Sequence, residues 1–194
     1  MGQEVVLFHS ALGLRPAVEA FAERLRTAGH TVHTPDSFDG EVFEDLAGGV
    51  LKRDALGIPE LIARAQAAVA DLPPGLVYAG FSMGTGAAAL LAATRPGARA
   101  AILVHGALAP AAIDLPAWPP VPVQVHYAEG DPEVDVDQVH ELEAAARAAG
   151  IPAEVHVYGR LGHLFEDPGL PNHDPEAAEL LTKRVLSFLD ALDR

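Results

Sequence analysis

From Leu76 to Ala89 the chain runs Leu-Val-Tyr-Ala-Gly80-Phe81-Ser82-Met83-Gly84-Thr85-Gly86-Ala-Ala-Ala, with no charged residue and no loop in between. A short apolar run that passes within five residues into small, helix-favouring ones reads as a buried strand feeding directly into a helix. A G-x-S-x-G at such a junction is a nucleophile elbow: the serine sits on a sharp turn with its hydroxyl raised above the sheet edge. Gly80 and Gly84 leave room for the turn, and the small residues after them let the helix lie close to the sheet. The plainer alternative is a tight glycine turn whose serine caps the helix. It leaves the coincidence of both glycines with the small residues unexplained.

A strand-elbow-helix unit belongs in a sheet of parallel strands, and the rest of the chain supplies one. Val5–Phe8 is a continuous apolar run, as expected of a strand buried on both faces. Pro16 opens a helix with Val18, Phe21, Ala22 and Leu25 at helical spacing, ended by Gly29. Thr31–Thr34 reads as a second strand, and residues 37–49 as a looser segment. Helical pattern returns from about Pro59 to Leu72, and Pro73-Pro74-Gly75 stops it. Beyond the elbow come a strand at Ala100–Val104, a proline-rich loop with Trp118, and a strand at Pro122–Tyr127. A helix over about Val134–Ala149, a strand at Ala153–Tyr158 and a helix over about Pro175–Leu192 complete the chain. Six strands alternating with helices predict an α/β fold with mainly parallel strands, helices on both faces, and one domain over residues 1–194. No insertion is long enough for a large lid.

Composition narrows the partners. The formal net charge of −14, with Lys52 and Lys183 the only lysines, argues against a nucleic-acid backbone or an acidic membrane surface as a ligand. The absence of cysteine removes disulfides, thiolate nucleophiles and zinc-thiolate sites. With a core strand read from Glu4 onward no signal peptide is expected, and no apolar run has transmembrane length. A cytoplasmic protein, monomeric or homodimeric, is expected.

In parallel sheets, sites gather in the loops beyond the carboxyl ends of the strands. The polar residues there are His9, Ser10, Asp36, Ser82, His105, Asp131 and His163. A serine nucleophile needs a base and an acid to orient that base, in elbow enzymes in the chain order serine, acid, histidine. Asp131, after the fifth strand, and His163, on a glycine-flanked loop after the sixth, occupy those places; capping a helix is the alternative role for Asp131. The oxyanion donors expected are the Met83 N–H and one from the loop after the first strand, at Ala11 or its neighbour Ser10. Ser10, Phe38, Phe43, His105, Trp118 and Phe165 are candidate pocket walls. His163, Glu166, Asp167, His173 and Asp174 cluster in sequence, but their spacing matches no compact metal-ligand pair. No metal and no cofactor is expected.

These blocks together resemble the dienelactone hydrolase family of α/β-hydrolases. The likeness rests on Leu7-Phe8-His9-Ser10-Ala11-Leu12-Gly13, Gly29–Asp36, Gly80-Phe81-Ser82-Met83-Gly84, Glu129-Gly130-Asp131, Gly162-His163-Leu164-Phe165 and the closing Arg184–Leu189. It covers nearly the whole chain. The resemblance implies a compact, lid-poor hydrolase acting on small-molecule esters or lactones, its chain starting at the third strand of the fuller fold. Members that open dienelactone carry cysteine at the elbow, where this chain has Ser82. They carry a glutamate where it has Ser10, and a carboxylate-binding arginine four residues after the catalytic histidine, where it has Asp167. Asp167 is expected to repel a substrate carboxylate. These departures point to a serine esterase on a dienelactone-hydrolase-like scaffold. The other readings are a thioesterase or peptidase, or a binding protein that keeps the fold without turnover.

Overall fold

A computed structural model describes residues 2–151 and 153–193. Six strands form one sheet: β1 (Glu4–Phe8), β2 (Thr31–His33), β3 (Val77–Phe81), β4 (Ala100–Val104), β5 (Val123–Ala128) and β6 (Ala153–Tyr158). Their order is β2-β1-β3-β4-β5-β6, and every neighbouring pair is parallel. The helices are α1 (Pro16–Thr27), α2 (Leu46–Leu56), α3 (Ile58–Ala68), α4 (Gly84–Thr94), α5 (Val136–Ala148) and α6 (Pro175–Ala191), with a short 3-10 turn at Pro110–Ile113.

Successive residues of a strand point to opposite faces, so each apolar run feeds two cores. Val5, Leu7, Val77, Ala79, Phe81, Ile102 and Val104 pack with α1 and α6 on one face. Val6, Phe8, Tyr78, Ala101, Leu103, Val123 and Val125 pack with α3, α4 and α5 on the other. β3, β4 and β5 are buried at every position; β3 and β4 accordingly carry no polar side chain but the Tyr78 hydroxyl, whereas β5 buries Gln124 and His126. The crossovers leave β1 toward β2 on one side and reach β3 on the other. This places the switch in strand order between β1 and β3, directly beneath the elbow.

One element departs from the expected alternation. The segment over residues 46–56, part of it read as loose, is helix α2, capped by the Asp45 side chain accepting from the Gly48 N–H at 2.9 Å. Two helices therefore separate β2 from β3. The periodic signal was missing because Gly49 is the only buried residue of α2, and Leu51 faces solvent. α3 closes at Ala68, four residues short of Leu72, although Val69 beyond it is still buried.

Candidate active site

Ser82 follows the last residue of β3 with φ at 48°, a left-handed backbone that non-glycine residues adopt rarely. The turn is held from both sides. The Ser82 N–H donates to Val104 O of the next strand at 2.7 Å, and the Ser82 carbonyl accepts from the Thr85 N–H and hydroxyl at 2.9 and 2.6 Å. A Cβ on Gly80 would lie 2.3 Å from Gly84 O, and one on Gly84 2.5 Å from Phe8 O. The two glycines are thus required by backbone contact, and α4 starts against both β3 and β1.

The side chains named from sequence meet here. The Ser82 hydroxyl lies 2.8 Å from His163 Nε2, and His163 Nδ1 lies 2.7 Å from Asp131 Oδ2. Asp131 also holds a local turn, its Oδ1 accepting from the Glu133 N–H at 3.0 Å. The helix-capping role considered for Asp131 falls instead to Asp135, whose side chain accepts from the Asp137 and Gln138 N–H groups at the start of α5. Burial pulls the Asp131 carboxyl toward the neutral acid, but the neighbouring His105 and His163 outweigh it and hold the group well below the usual carboxylate range. Three groups in this order can shuttle a proton from the serine hydroxyl while the carboxylate fixes the imidazole tautomer.

Two clefts share Ser82 and Met83 as wall. The larger, about 560 Å³, runs between α3, α4 and the Pro110 turn. It is lined mainly by apolar side chains, among them Ile58, Leu61, Ile62, Leu90, Leu108 and Ile113. The smaller, about 350 Å³, includes Ala11, His105, Glu133, Asp135 and Gln138. Ala11 and Met83, the expected oxyanion donors, both line this second cleft with Ser82. The loop that carries Ala11 is shaped by Ser10, whose hydroxyl accepts from the Leu12 N–H at 3.1 Å and whose carbonyl accepts from the Gly13 N–H at 3.1 Å. Gly49 of α2 lies so close that a Cβ there would sit 2.0 Å from Ala11 O.

The remaining pocket candidates divide. His105 lines the second cleft, and His9 lines the first. Ser10 reaches neither cleft but borders a small crevice with Arg15, Glu166 and Asp167. Phe38 is fully buried beneath the site, edge-on to His9 at 5.1 Å and to Phe43 at 6.0 Å, and forms no cleft wall. Phe165 is likewise core, against His105 and Tyr158. Trp118 belongs to a different depression beside α5, its indole N–H donating to Val121 O at 2.8 Å. Large aromatics are drawn to the closed core because burying them removes the most apolar surface from water, and the open groove is lined by aliphatic side chains instead.

His9 is buried. Its Nδ1–H donates to Ser10 O at 2.7 Å, and its Nε2 accepts from the Ser37 N–H at 3.0 Å. Burial lowers its pKa, against smaller opposing effects of the Ser10 carbonyl and Asp36. A neutral ring with both nitrogens engaged is a brace between loops.

Asp167 does not present a repelling charge. It is buried in an ion pair with Arg15 Nε at 2.7 Å, and its Oδ1 accepts from the Gly169 N–H at 2.8 Å. Arg53, on the helix that sequence reading missed, borders both clefts. Glu166 also escaped notice: it accepts from His105 Nε2 at 2.6 Å. Its sequence block suggested only a metal cluster, and no spacing rule links it to a residue 61 positions earlier. Among the described residues the one group that brings three potential metal donors within 4.8 Å is His105, Asp131 and His163. That group is the histidine–acid pairing already described. No helix among the described residues is long and apolar enough to cross a membrane.

The family model of the dienelactone hydrolase family matches residues 2–192. No curated protein matches the sequence significantly. Among solved structures, a dienelactone hydrolase-like promiscuous phosphotriesterase, P91, from metagenomic libraries is similar at 24% identity and TM-score 0.79, over 98% of this chain and 86% of that one. A Klebsiella pneumoniae protein named as a candidate dienelactone hydrolase is similar at 22% identity and TM-score 0.77, over 97% and 88%. Esterase 2 of Thermogutta terrifontis, in its apo form, is similar at 18% identity and TM-score 0.66, over 98% and 84%. At these identities the likeness is one of fold.

Proposed function

This chain belongs to the dienelactone hydrolase family, and we propose that it is a serine hydrolase of carboxylic esters or lactones working through an acyl-enzyme on Ser82. The observation that carries this reading is the unbroken series Asp131–His163–Ser82, at 2.7 and 2.8 Å, ending on a residue with left-handed backbone beside two open clefts.

In this reading His163 Nε2 takes the Ser82 proton as the oxygen attacks the ester carbonyl. The charge that develops on the carbonyl oxygen is met by the Met83 N–H, at the start of α4, and by an N–H of the Ala11 loop. His163 returns the proton to the leaving alcohol, then deprotonates a water that attacks the acyl-serine. Asp131 keeps the Nδ1–H tautomer in place through both halves and stabilises the imidazolium. The aliphatic lining of the 560 Å³ cleft suits an apolar acyl or alkyl portion, which would leave water on entering it.

The test is intact mass after exposure to a fluorophosphonate probe, run beside hydrolysis of a series of p-nitrophenyl esters. A single adduct that disappears in Ser82→Ala and His163→Ala, together with ester turnover lost in the same variants, is the expected result. A folded protein that takes no adduct would overturn the reading and favour a binding protein on this fold. Turnover surviving Ser82→Ala would place the nucleophile elsewhere.

A further inference from the structure

β4 ends as β3 does. His105 follows its last residue with φ at 62°, so two neighbouring strands each finish on a left-handed non-glycine residue. Strain of this kind persists where the surroundings over-determine it. The His105 N–H donates to His126 O at 2.7 Å, and its ring is completely buried. It stands edge-on to His163 at 5.1 Å and to Phe165 at 4.8 Å. On one side Nε2 is 2.6 Å from Glu166 Oε2; on the other Nδ1 is 3.8 Å from Asp131 Oδ2, with no hydrogen-bond partner.

Each ring nitrogen therefore faces a carboxylate. A neutral imidazole has one N–H and one lone pair, so either neutral tautomer would aim a lone pair at an anion. The imidazolium presents an N–H to each, hydrogen-bonded to Glu166 and at ion-pair distance from Asp131.

We propose that His105, kept cationic by Glu166, is a positioning residue that anchors the Asp131 carboxylate so that its Oδ2 stays on His163 Nδ1. The inference rests on the serine-hydrolase reading for its kinetic consequence, but not for its structure. Glu166, His105, Asp131, His163 and Ser82 then form one chain of alternating partners. The groups facing His105 are Glu166 and His163 from the loop after β6, Asp131 from the loop after β5, and more distantly His126 on β5. Burial opposes the charge on His105 most strongly, yet Glu166 and Asp131 together outweigh it and raise the pKa to about 9. Once His105 loses its proton, a lone pair faces one carboxylate, and the hold on Asp131 weakens.

The test combines 15N NMR titration of the histidine rings with pH profiles of p-nitrophenyl ester turnover and of fluorophosphonate labelling, for the wild-type protein, Glu166→Gln and His105→Gln. Both nitrogens of His105 should be protonated at pH 7 in the wild type and titrate near 9. In Glu166→Gln that midpoint, and the alkaline fall of kcat with it, should move down by about one unit or more, since a neighbouring charge has been removed. In His105→Gln, kcat should fall at least about tenfold across the pH range with KM little changed, and the limb near 9 should vanish. If His105→Gln does not fold, Glu166→Gln and the wild-type titration decide the matter alone. A neutral His105 at pH 7, or an alkaline limb that stays in place in folded Glu166→Gln, overturns the proposal. The ring titration needs no turnover. A cationic His105 in a protein that neither turns over ester nor labels would remove the hydrolase reading and leave the ionic chain standing, whereas labelling with a neutral His105 would do the reverse.

Discussion

Arg15 and Asp167, 152 residues apart in sequence, share a buried ion pair at 2.7 Å that fastens the start of α1 to the loop bearing His163. Arg15 also donates to Phe43 O at 2.8 Å, so one guanidinium holds three stretches of chain around the site. Removing one partner of such a pair leaves an uncompensated buried charge, typically a loss of about 3 kcal/mol or more. Asp167→Asn should therefore lower the melting temperature by roughly 6–12 °C in a domain of this size. Because the Asp167 charge is spent on Arg15, the ratio of anionic to neutral ester turnover should not change. A marked gain for anionic esters would mean that Asp167 faces the substrate after all.

Asp131→Asn keeps the size of the side chain but offers an amide where His163 Nδ1–H needs an acceptor. The imidazole is then free to take the tautomer that cannot receive the serine proton. By analogy with other triads kcat should fall roughly 10⁴-fold, with far-UV circular dichroism unchanged. Steady-state kinetics on a chromogenic ester would decide, and a loss under tenfold would argue against Asp131 as the orienting acid.

Gly84→Ala puts a methyl group 2.5 Å from Phe8 O, a contact with backbone that cannot swing aside. Overpacking of this kind costs about 1–3 kcal/mol, and relief by moving α4 would also shift Ser82. Chemical denaturation should show the loss of stability, and probe labelling should slow by at least about tenfold. Gly86→Ala on the same helix is the control, because a Cβ there meets only Leu108 Cδ1 at 3.6 Å.

Stability should fall on the alkaline side. His105 has a folded-state pKa of about 9, above the ordinary 6.5. Its contribution is full below pH 6.5, declines as pH rises, and is gone once pH passes about 9; the slope is at most about 1.4 kcal/mol per unit. Asp131 works the other way: its carboxyl is held low in the fold, so its contribution is present above about pH 4 and lost in stronger acid. Urea denaturation at pH 6, 7.5 and 9 measures the decline, and Glu166→Gln should flatten it. A wild-type curve that is level across this range would contradict the assignment.

The aliphatic groove predicts chain-length selectivity. Ile62→Trp, placing a bulky ring among Leu61, Leu90 and Ile113, should cut kcat/KM for a hexanoate ester by about tenfold or more relative to acetate. An unchanged hexanoate-to-acetate ratio would assign the acyl group to the other cleft.

Much of this molecule could be read from local pattern. Apolar runs such as Val77–Phe81 and Ala100–Val104 are buried on both sides, so their composition alone marks them as central parallel strands. Gly80 and Gly84 mark the elbow because backbone contact forbids any side chain there. Chain order then singles out Asp131 and His163, since each strand delivers one loop to the same edge. Helix α2 was not legible: it buries only a glycine, and periodicity reports burial rather than helix. Nor were the partnerships Arg15–Asp167 and His105–Glu166, or the choice of Ile62 over Trp118 as groove wall. Such pairings depend on which loops and helix faces meet after six strands have stacked. Charge and size declare that a side chain needs a partner or a cavity, but only the packed sheet brings a particular one within reach.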